Sequence, residues 1–456
     1  MSRMFGTDGI RGKANVEITP ELALQLGSAG AQVLARHVAD RPPRILIGTD
    51  TRQSADMLES ALVAGMCAVG AQVYRAGVVP SPAMALLVRK HNMDAGVMLS
   101  ASHNPMPDNG IKFFDADGNK LTDAIEDEIE ACFHASAFPR PTGAGVGRCA
   151  SIAEAAAAEY VEFLAQTVPD SANKPFAGLR VALDCAHGAT SVVGPLVFAQ
   201  LGADVDAFYC EPDGKNINEA CGSTHIQSLQ ARMEGGGYDI GFAFDGDGDR
   251  IFGVDNQGQV MDGDAIMAIC ALALKRAGKL DALVATVMSN IGLEIMCQRE
   301  GIRLLRTQVG DRYVLEKLQE GEPGCAPLLL GGEQSGHIIF YGHNTTGDGV
   351  LTALQLLCVM QAEGKTAAEL RQCLETFPQA MVGAKLDNAV KHRFDEKPAI
   401  REAMAALEAK LEGNGRLLVR ASGTEPQVRV MIEGRNQHEV DAWATELAGL
   451  IEKEWA

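Results

Sequence analysis

Three times along the chain an apolar run leads into a polar loop, then an amphipathic stretch that stops at glycine, then a second apolar run. Short apolar runs read as strands and the 3.6-residue period reads as helix, so each phrase predicts strand, helix, strand. The first phrase opens with RILIGTD at 44–50, continues as helix to about Ala68, stops at Gly70 and resumes as strand at 72–75. The second opens with LRVALD at 179–184, runs as helix to Leu201, stops at Gly202 and resumes at 204–209. The third opens at Leu283 with LVATV, its helix ends before Gly301, and its second strand covers 302–306. Strands separated by a helix cannot close as hairpins, so each phrase predicts a βαβ unit with its loops at one end of a mostly parallel or mixed sheet. Beyond residue 379 the order changes: strand 380–386, helix 399–411, strands 416–420 and 427–433, helix 438–452. That is the pattern of a smaller α+β domain. A chain of 456 residues exceeds what one hydrophobic core supports. Breaks at 138–147, 256–263 and 376–379 divide it into expected domains 1–150, 151–257, 258–375 and 376–456. The expected fold is therefore α/β: three related domains with mixed sheets, followed by a smaller α+β C-terminal domain.

The polar loops carry the candidate chemistry. After the apolar run 240–244 comes Asp245-Gly246-Asp247-Gly248-Asp249-Arg250, with carboxylates at alternate positions and only glycine between them. Glycine lets the backbone turn tightly enough for the side chains to converge, and an all-oxygen set favours Mg²⁺ or Ca²⁺ over zinc. A polar surface turn is the plain alternative, but converging anions need a counter-charge and a metal supplies it. An EF-hand would need Gly and Glu where this loop has Arg250 and Asn256. A rival is an aspartyl-phosphate phosphatase loop with Asp245 as nucleophile; Asp249 stands where that pattern has Thr or Val.

Upstream, the apolar 97–99 delivers Ser100-Ala101-Ser102-His103-Asn104-Pro105. A serine needs a base, metal or dipole to become a nucleophile, and His103 is placed to position Ser102. No GxSxG elbow surrounds it, which argues against an acyl-transfer hydrolase. A hydroxyl of this kind and a three-carboxylate metal site in one chain point to phosphoryl transfer. Gly331-Gly332-Glu333-Gln334-Ser335-Gly336-His337 lies between apolar runs; Glu333 and Ser335, two apart, suit vicinal sugar hydroxyls, and His337 suits a proton carrier. Arg420-Ala421-Ser422-Gly423-Thr424-Glu425-Pro426, with Arg429 following, reads as a phosphate cradle of hydroxyls, backbone N–H groups and guanidinium forks. The glycine-dense start at 5–12 contains Arg11, and Lys112 alternates with apolar neighbours and is placed to project toward Ser102. Taken alone, each of these segments is also ordinary turn or strand chemistry.

Composition narrows the partners. A net charge of −19 disfavours nucleic acid and anionic membrane, so a phosphate ligand must meet a local cluster of Arg and Lys. The 11 Cys contain no CxxC pair, which fits reduced thiols in the cytoplasm better than a zinc ribbon or disulfide framework. The longest apolar run, 265–274, is too short to span a bilayer.

In order, FGTDGIRG, SASHNP, DGDGDR, GGEQSGH and RASGTEP resemble the α-D-phosphohexomutase superfamily along nearly the whole chain. Within it, FGTDGIRG and the loop with Gln334 resemble the branch acting on glucosamine phosphates rather than the phosphomannomutase/phosphoglucomutase branch. The resemblance implies domains arranged around a central cleft. It implies interconversion of glucosamine 6-phosphate and glucosamine 1-phosphate, which feeds UDP-N-acetylglucosamine and cell-wall precursor synthesis. Ser102 is implied to be a phosphoserine that passes its phosphoryl group to the sugar phosphate, forming a sugar 1,6-bisphosphate that reorients before the return transfer. One Mg²⁺ per chain would be held by Asp245, Asp247, Asp249 and a phosphoserine oxygen of Ser102. Arg250, Arg11 and Lys112 would line the transfer end, with His337 as proton carrier. Glu333 and Ser335 would bind sugar hydroxyls, and Arg420, Ser422, Gly423, Thr424 and Arg429 the phosphate that is not reacting. The implied partner is a small hexosamine phosphate, with no nucleic acid or membrane, in a chain that is compatible with a homodimer. Where related mutases resemble a Gly-His pair, this chain has Gly310-Asp311.

Overall fold

The computed structural model describes residues 3–6, 8–36, 38, 40–422 and 425–455. The first sheet is built from β1 (Ile10–Lys13), β2 (Arg44–Thr49), β3 (Gln72–Val78), β4 (Ala95–Leu99), β5 (Asp108–Phe114) and β6 (Cys149–Ser151), in the order β1-β5-β4-β2-β3-β6. The second contains β7 (Arg180–Asp184), β8 (Asp204–Phe208), β9 (Ile240–Phe244), β10 (Ile251–Asp255) and β11 (Val260–Met261), ordered β11-β10-β9-β7-β8. The third contains β12 (Ala282–Thr286), β13 (Arg303–Thr307), β14 (Leu330–Gly332) and β15 (Ile338–Phe340), ordered β13-β12-β14-β15. The fourth, β16 (Gln379–Lys385), β17 (Arg416–Ala421) and β18 (Gln427–Glu433), is an antiparallel ribbon ordered β16-β18-β17.

One topology underlies the first three sheets. In each, the opening strand of the phrase is central, its crossover partner lies parallel on one side, and a third strand lies parallel on the other. A fourth strand then folds back antiparallel against the third. The hairpin between third and fourth strands therefore recurs at one equivalent place, and it holds 100–107 in the first sheet, 245–250 in the second and 333–337 in the third.

The strands that deliver these hairpins are buried along their whole length, as β4 and β9 are. Strands buried on both faces read as continuous apolar runs, which is why these were legible. The core of the first domain packs Ile45, Ile47, Val97 and Leu99 against Leu58, Leu62 and Met66 of the helix Ala55–Ala68. The segment 256–263, expected as a linker, instead turns back as β11 to pair with β10, so the second sheet reaches Met261. Asp262 then caps the next helix by accepting the Ala265 N–H.

The chain resolves into two compact units, Met1–Met288 with Gly301–Cys373, and Ser289–Glu300 with Leu374–Ala456. The second unit includes the helix of the third phrase, Ile291–Arg299. Asn290 exchanges hydrogen bonds with the Phe377 backbone at 2.9 and 3.0 Å, and Glu433 accepts from both Ile291 N and the Arg416 guanidinium. Among the described residues no helix is long and apolar enough to cross a membrane.

Candidate active site

Ser102 sits on the first of the equivalent hairpins in a left-handed conformation, φ +52°, which costs a non-glycine residue energy unless its surroundings enforce it. They do. Its N–H donates to Ser100 Oγ at 2.9 Å, and Ser100 Oγ donates to Asp50 Oδ2 at 2.6 Å. Arg52, fully buried with Asp50, fans its guanidinium over the carbonyls of Ser102, Asn104, Pro105 and Asp108 at 2.6–3.0 Å. Asn218 Nδ2 adds hydrogen bonds to the same Ser102 and Asn104 carbonyls, 2.8 and 3.0 Å away. The serine loop is thus tied to both the first and second domains, and Ser102 Oγ donates to Asp245 Oδ2 at 2.5 Å.

Asp245 opens the second hairpin. Gly248 has φ +71°, and a Cβ at Gly246 would lie 2.7 Å from the Ser102 carbonyl, so glycine is required for the turn and for the approach of the two loops. Asp245, Asp247 and Asp249 offer oxygens all within 4.8 Å of one another, buried. Buried carboxylates this close cannot all ionise without compensation. Burial, then Asp249 and Asp247, lifts the Asp245 carboxyl well above its ordinary pKa. Burial also opposes charge on Asp249, but His337 and Lys112 hold its pKa well down. Asp247 Oδ1 and Asp249 Oδ1 are buried without a hydrogen-bond partner, the arrangement expected where a hard cation supplies the missing contacts. The donor set fits a divalent cation with oxygen ligands.

Cations and further carboxylates surround the triad. Lys112, 2% exposed, turns inward from β5 and donates to Asp247 Oδ2 at 2.8 Å, beside Ser81 Oγ at 2.6 Å. Its Nζ also lies 2.9 Å from Asp8 and 3.8 Å from Asp249. Burial opposes charge on Lys112, but Asp247 and Asp8 outweigh it and raise its pKa. Asp8 additionally pairs with Arg11 and with Lys120. Arg250 donates its backbone N–H to Asp245 Oδ1 at 3.1 Å, and its buried Nε has no hydrogen-bond partner, as is also true of Arg11 Nε. His103 Nδ1 is 3.3 Å from Ser102 Oγ; burial, then Arg250 and Arg11, lowers its pKa to about 4, so the ring is neutral at pH 7.

His337 reaches the cluster from the third hairpin. Its Nδ1 lies 3.6 Å from Asp249 and its Nε2 3.5 Å from Asp311, while Gly347 N–H donates to Nε2 at 2.9 Å. Burial opposes a charge on this ring, yet Asp249 and Asp311 lift its pKa above the ordinary value, with Lys120 working the other way. In the same hairpin, Ser335 Oγ donates to Glu333 Oε2 at 3.3 Å and Gly310 N–H donates to Oε1. Glu333 and Ser335 line a cavity of about 470 Å³ with Arg250, Phe252, Met288 and Val309.

The C-terminal loop lies in the second unit. Arg420 and Arg429 face each other across β17 and β18, and burial, then Arg429, lowers the Arg420 pKa. Ser422 Oγ accepts the Glu425 N–H at 3.2 Å, Arg429 pairs with Glu425 at 2.6 Å, and the buried Lys391 donates to the Glu425 carbonyl. Gly423 and Thr424, expected at the same phosphate cradle, lie outside the described residues.

Ser102, Arg11, Lys112, the three aspartates, Arg250 and His337 are therefore brought together around one point, with Glu333 and Ser335 on the adjoining cavity. Sequence reasoning missed Arg52, Asn218, Asp8 and Lys120. The Asp50-Thr-Arg52 step directly after an apolar strand was the available signal for the first. Moving a phosphoryl group requires a fixed hydroxyl, a site for a hard cation and positive charge around the moving oxygens. The class these loops define is that of the phosphoryl-transfer enzymes.

Family models for phosphoglucomutase/phosphomannomutase match the chain in order: alpha/beta/alpha domain I at residues 2–140, domain II at 158–258, domain III at 262–377 and the C-terminal domain at 381–450. The chain belongs to this phosphoglucomutase/phosphomannomutase family. Proteins named phosphoglucosamine mutase are similar over 99% of both chains, at 49% identity in Caldanaerobacter subterraneus subsp. tengcongensis and 50% in Acetivibrio thermocellus. Among solved structures, a phosphoglucomutase/phosphomannomutase family protein from Burkholderia thailandensis shares the fold at TM-score 0.82 and 21% identity, covering 100% of this chain and 99% of that one. An Aspergillus fumigatus N-acetylphosphoglucosamine mutase in complex with GlcNAc-6P and magnesium aligns at TM-score 0.68 and 16% identity, over 99% and 96% of the two chains.

Proposed function

We propose that this chain interconverts glucosamine 6-phosphate and glucosamine 1-phosphate in the cytoplasm, through phosphoserine at Ser102 and glucosamine 1,6-bisphosphate. The observation that carries the reading is Ser102 Oγ, 2.5 Å from Asp245 within the carboxylate triad, in a chain about half identical to proteins named phosphoglucosamine mutase.

The phosphoryl group leaves Ser102 Oγ for the free hydroxyl of the sugar phosphate: the serine O–P bond breaks, a sugar O–P bond forms, His337 takes the hydroxyl proton and the freed serine oxygen takes one from water, both protons being given back in the return transfer. Asp245, Asp247, Asp249 and an oxygen of phosphorylated Ser102 would hold one Mg²⁺, which when bound neutralises charge on the moving group. Lys112, Arg11 and Arg250 add fixed positive charge that needs no reorganisation during transfer. Glu333 and Ser335 hold ring hydroxyls, while Arg420, Ser422, Gly423, Thr424 and Arg429 hold the other phosphate. The bisphosphate then turns over, and its second phosphoryl group returns to Ser102.

Glucosamine, glucose and mannose 6-phosphates assayed side by side test the substrate; fastest turnover of the amino sugar is expected, and equal rates would remove the assignment. Peptide mass analysis should find phosphate on the Ser102 peptide. Phosphate on Asp245 instead, with Ser102→Ala still active, would favour an aspartyl-phosphate phosphatase.

A further inference from the structure

Around the triad, donors and carboxylates alternate in a closed circuit. Lys112 Nζ lies 2.9 Å from Asp8 Oδ2, and Asp8 Oδ1 lies 2.6 Å from Lys120 Nζ. Lys120 also binds Asp311 Oδ2, which lies 3.5 Å from His337 Nε2. His337 Nδ1 faces Asp249 at 3.6 Å, and Asp249 returns to Lys112 at 3.8 Å. Lys120 enters just after β5, bridged to Phe114, whereas Asp311 is the first residue of the helix Asp311–Glu320. The pair thus joins the first and third domains inside one compact unit. The walls of the sugar cavity are made by other residues, with Val309 reaching it while Asp311, two positions on, turns to Lys120 and His337.

We propose that Lys120 and Asp311 are positioning residues that fix Lys112 on one side of the triad and His337 on the other, without touching the substrate. Lys120 is the only cation shared by Asp8 and Asp311 among the described residues. Without it, two part-buried carboxylates lose their common counter-charge. Asp8 then draws more strongly on Lys112, away from Asp247, and Asp311 draws on His337. A shift of this kind alters the chemical step more than binding, because Glu333, Ser335 and the C-terminal loop are untouched. It also gives the departure at Gly310-Asp311 a role in holding the catalytic groups rather than in reading the sugar.

The inference rests on the mutase reading above, and the parent enzyme separates the two. Without parent turnover of glucosamine 6-phosphate, the mutase reading fails; with it, the variants test this inference alone. Lys120→Met and the isosteric Asp311→Asn should each lower kcat at least about tenfold with KM within about threefold. Because both act through one circuit, the double variant should fall no more than about twofold below the weaker single variant. Lys120→Arg, which keeps the charge, should recover most of the loss. Thermal unfolding checks that each protein is folded; if Lys120→Met is not, Asp311→Asn carries the same test. A folded variant with kcat within twofold of the parent, a loss confined to KM, or single losses that multiply in the double variant would overturn the proposal.

Discussion

The serine hairpin and the C-terminal arginine loop are both polar turns between strands, but they are held in opposite ways. Around Ser102 the carbonyls of the turn are saturated by Arg52 and Asn218, the backbone is locked at positive φ, and the hydroxyl is already bonded to Asp245. At the C-terminal loop Arg420 and Arg429 are paired in register across β17 and β18, and Arg429 also binds Glu425. The first arrangement fixes one atom in one place. The second places two arginines in register, a concentration of positive charge that suits a phosphate. In the reaction proposed above, the nucleophile must meet its target in line, while a phosphate holder draws chiefly on charge.

The comparison breaks most directly at Ser102. Ser102→Ala should cut turnover by about three orders of magnitude or more, with thermal stability nearly that of the parent. Residual turnover within tenfold would show that the fixed hydroxyl is not the reacting group. Chelation with EDTA should lower activity by at least about a hundredfold, restored by added Mg²⁺, because the triad then lacks its counter-charge. Unchanged activity after exhaustive chelation would refute the metal reading.

Arg52→Met tests whether the serine loop is over-determined. It leaves Asp50 buried without its ion-pair partner and takes one donor from each of the loop carbonyls it holds, so denaturant unfolding should show a loss of about 3–5 kcal/mol. A loss below about 1 kcal/mol would mean that the loop holds its own shape. Arg429→Ala, at the looser site, should raise KM roughly tenfold to a hundredfold, the scale of a lost hydrogen bond to a charged group. Its effect on unfolding should be small, and a large one would make that loop structural.

The smallest effect concerns His103. Its pKa is lowered in the folded state to about 4, below its unfolded value, so the unfolded chain binds the extra proton first as pH falls. Stability from this group is full above about pH 6.5 and is lost as pH drops toward about 4. Urea midpoints at pH 7 and pH 5 should therefore diverge less in His103→Asn than in the parent. An equal divergence would exclude the neutral, buried imidazole.

Much of this was legible beforehand. The continuous apolar runs of β4, β7, β9 and β12 declared themselves as buried strands, and DGDGDR announced a converging carboxylate triad able to hold a metal ion, because glycine and aspartate at alternate positions are a local requirement of one tight loop. Lys112 was ambiguous in sequence, since an alternating lysine usually faces solvent; only the position of Asp247 and Asp8 turns it inward. The segment 256–263 read as a linker because β11 is two residues long and shows no period of its own.

By itself the sequence determined the longer elements, the order of the motifs and the types of side chain offered by each loop, because periodicity, capping and turn geometry act over a few residues. Tertiary structure alone decided that the three hairpins are equivalent, that Arg52 and Asn218 hold Ser102, and that Lys120 stands between Asp8 and Asp311. Those partners are separated by up to 191 positions, and no local spacing encodes them. They meet because packed sheets bring distant loops together, and buried charges there must find a counter-charge or remain unpaired.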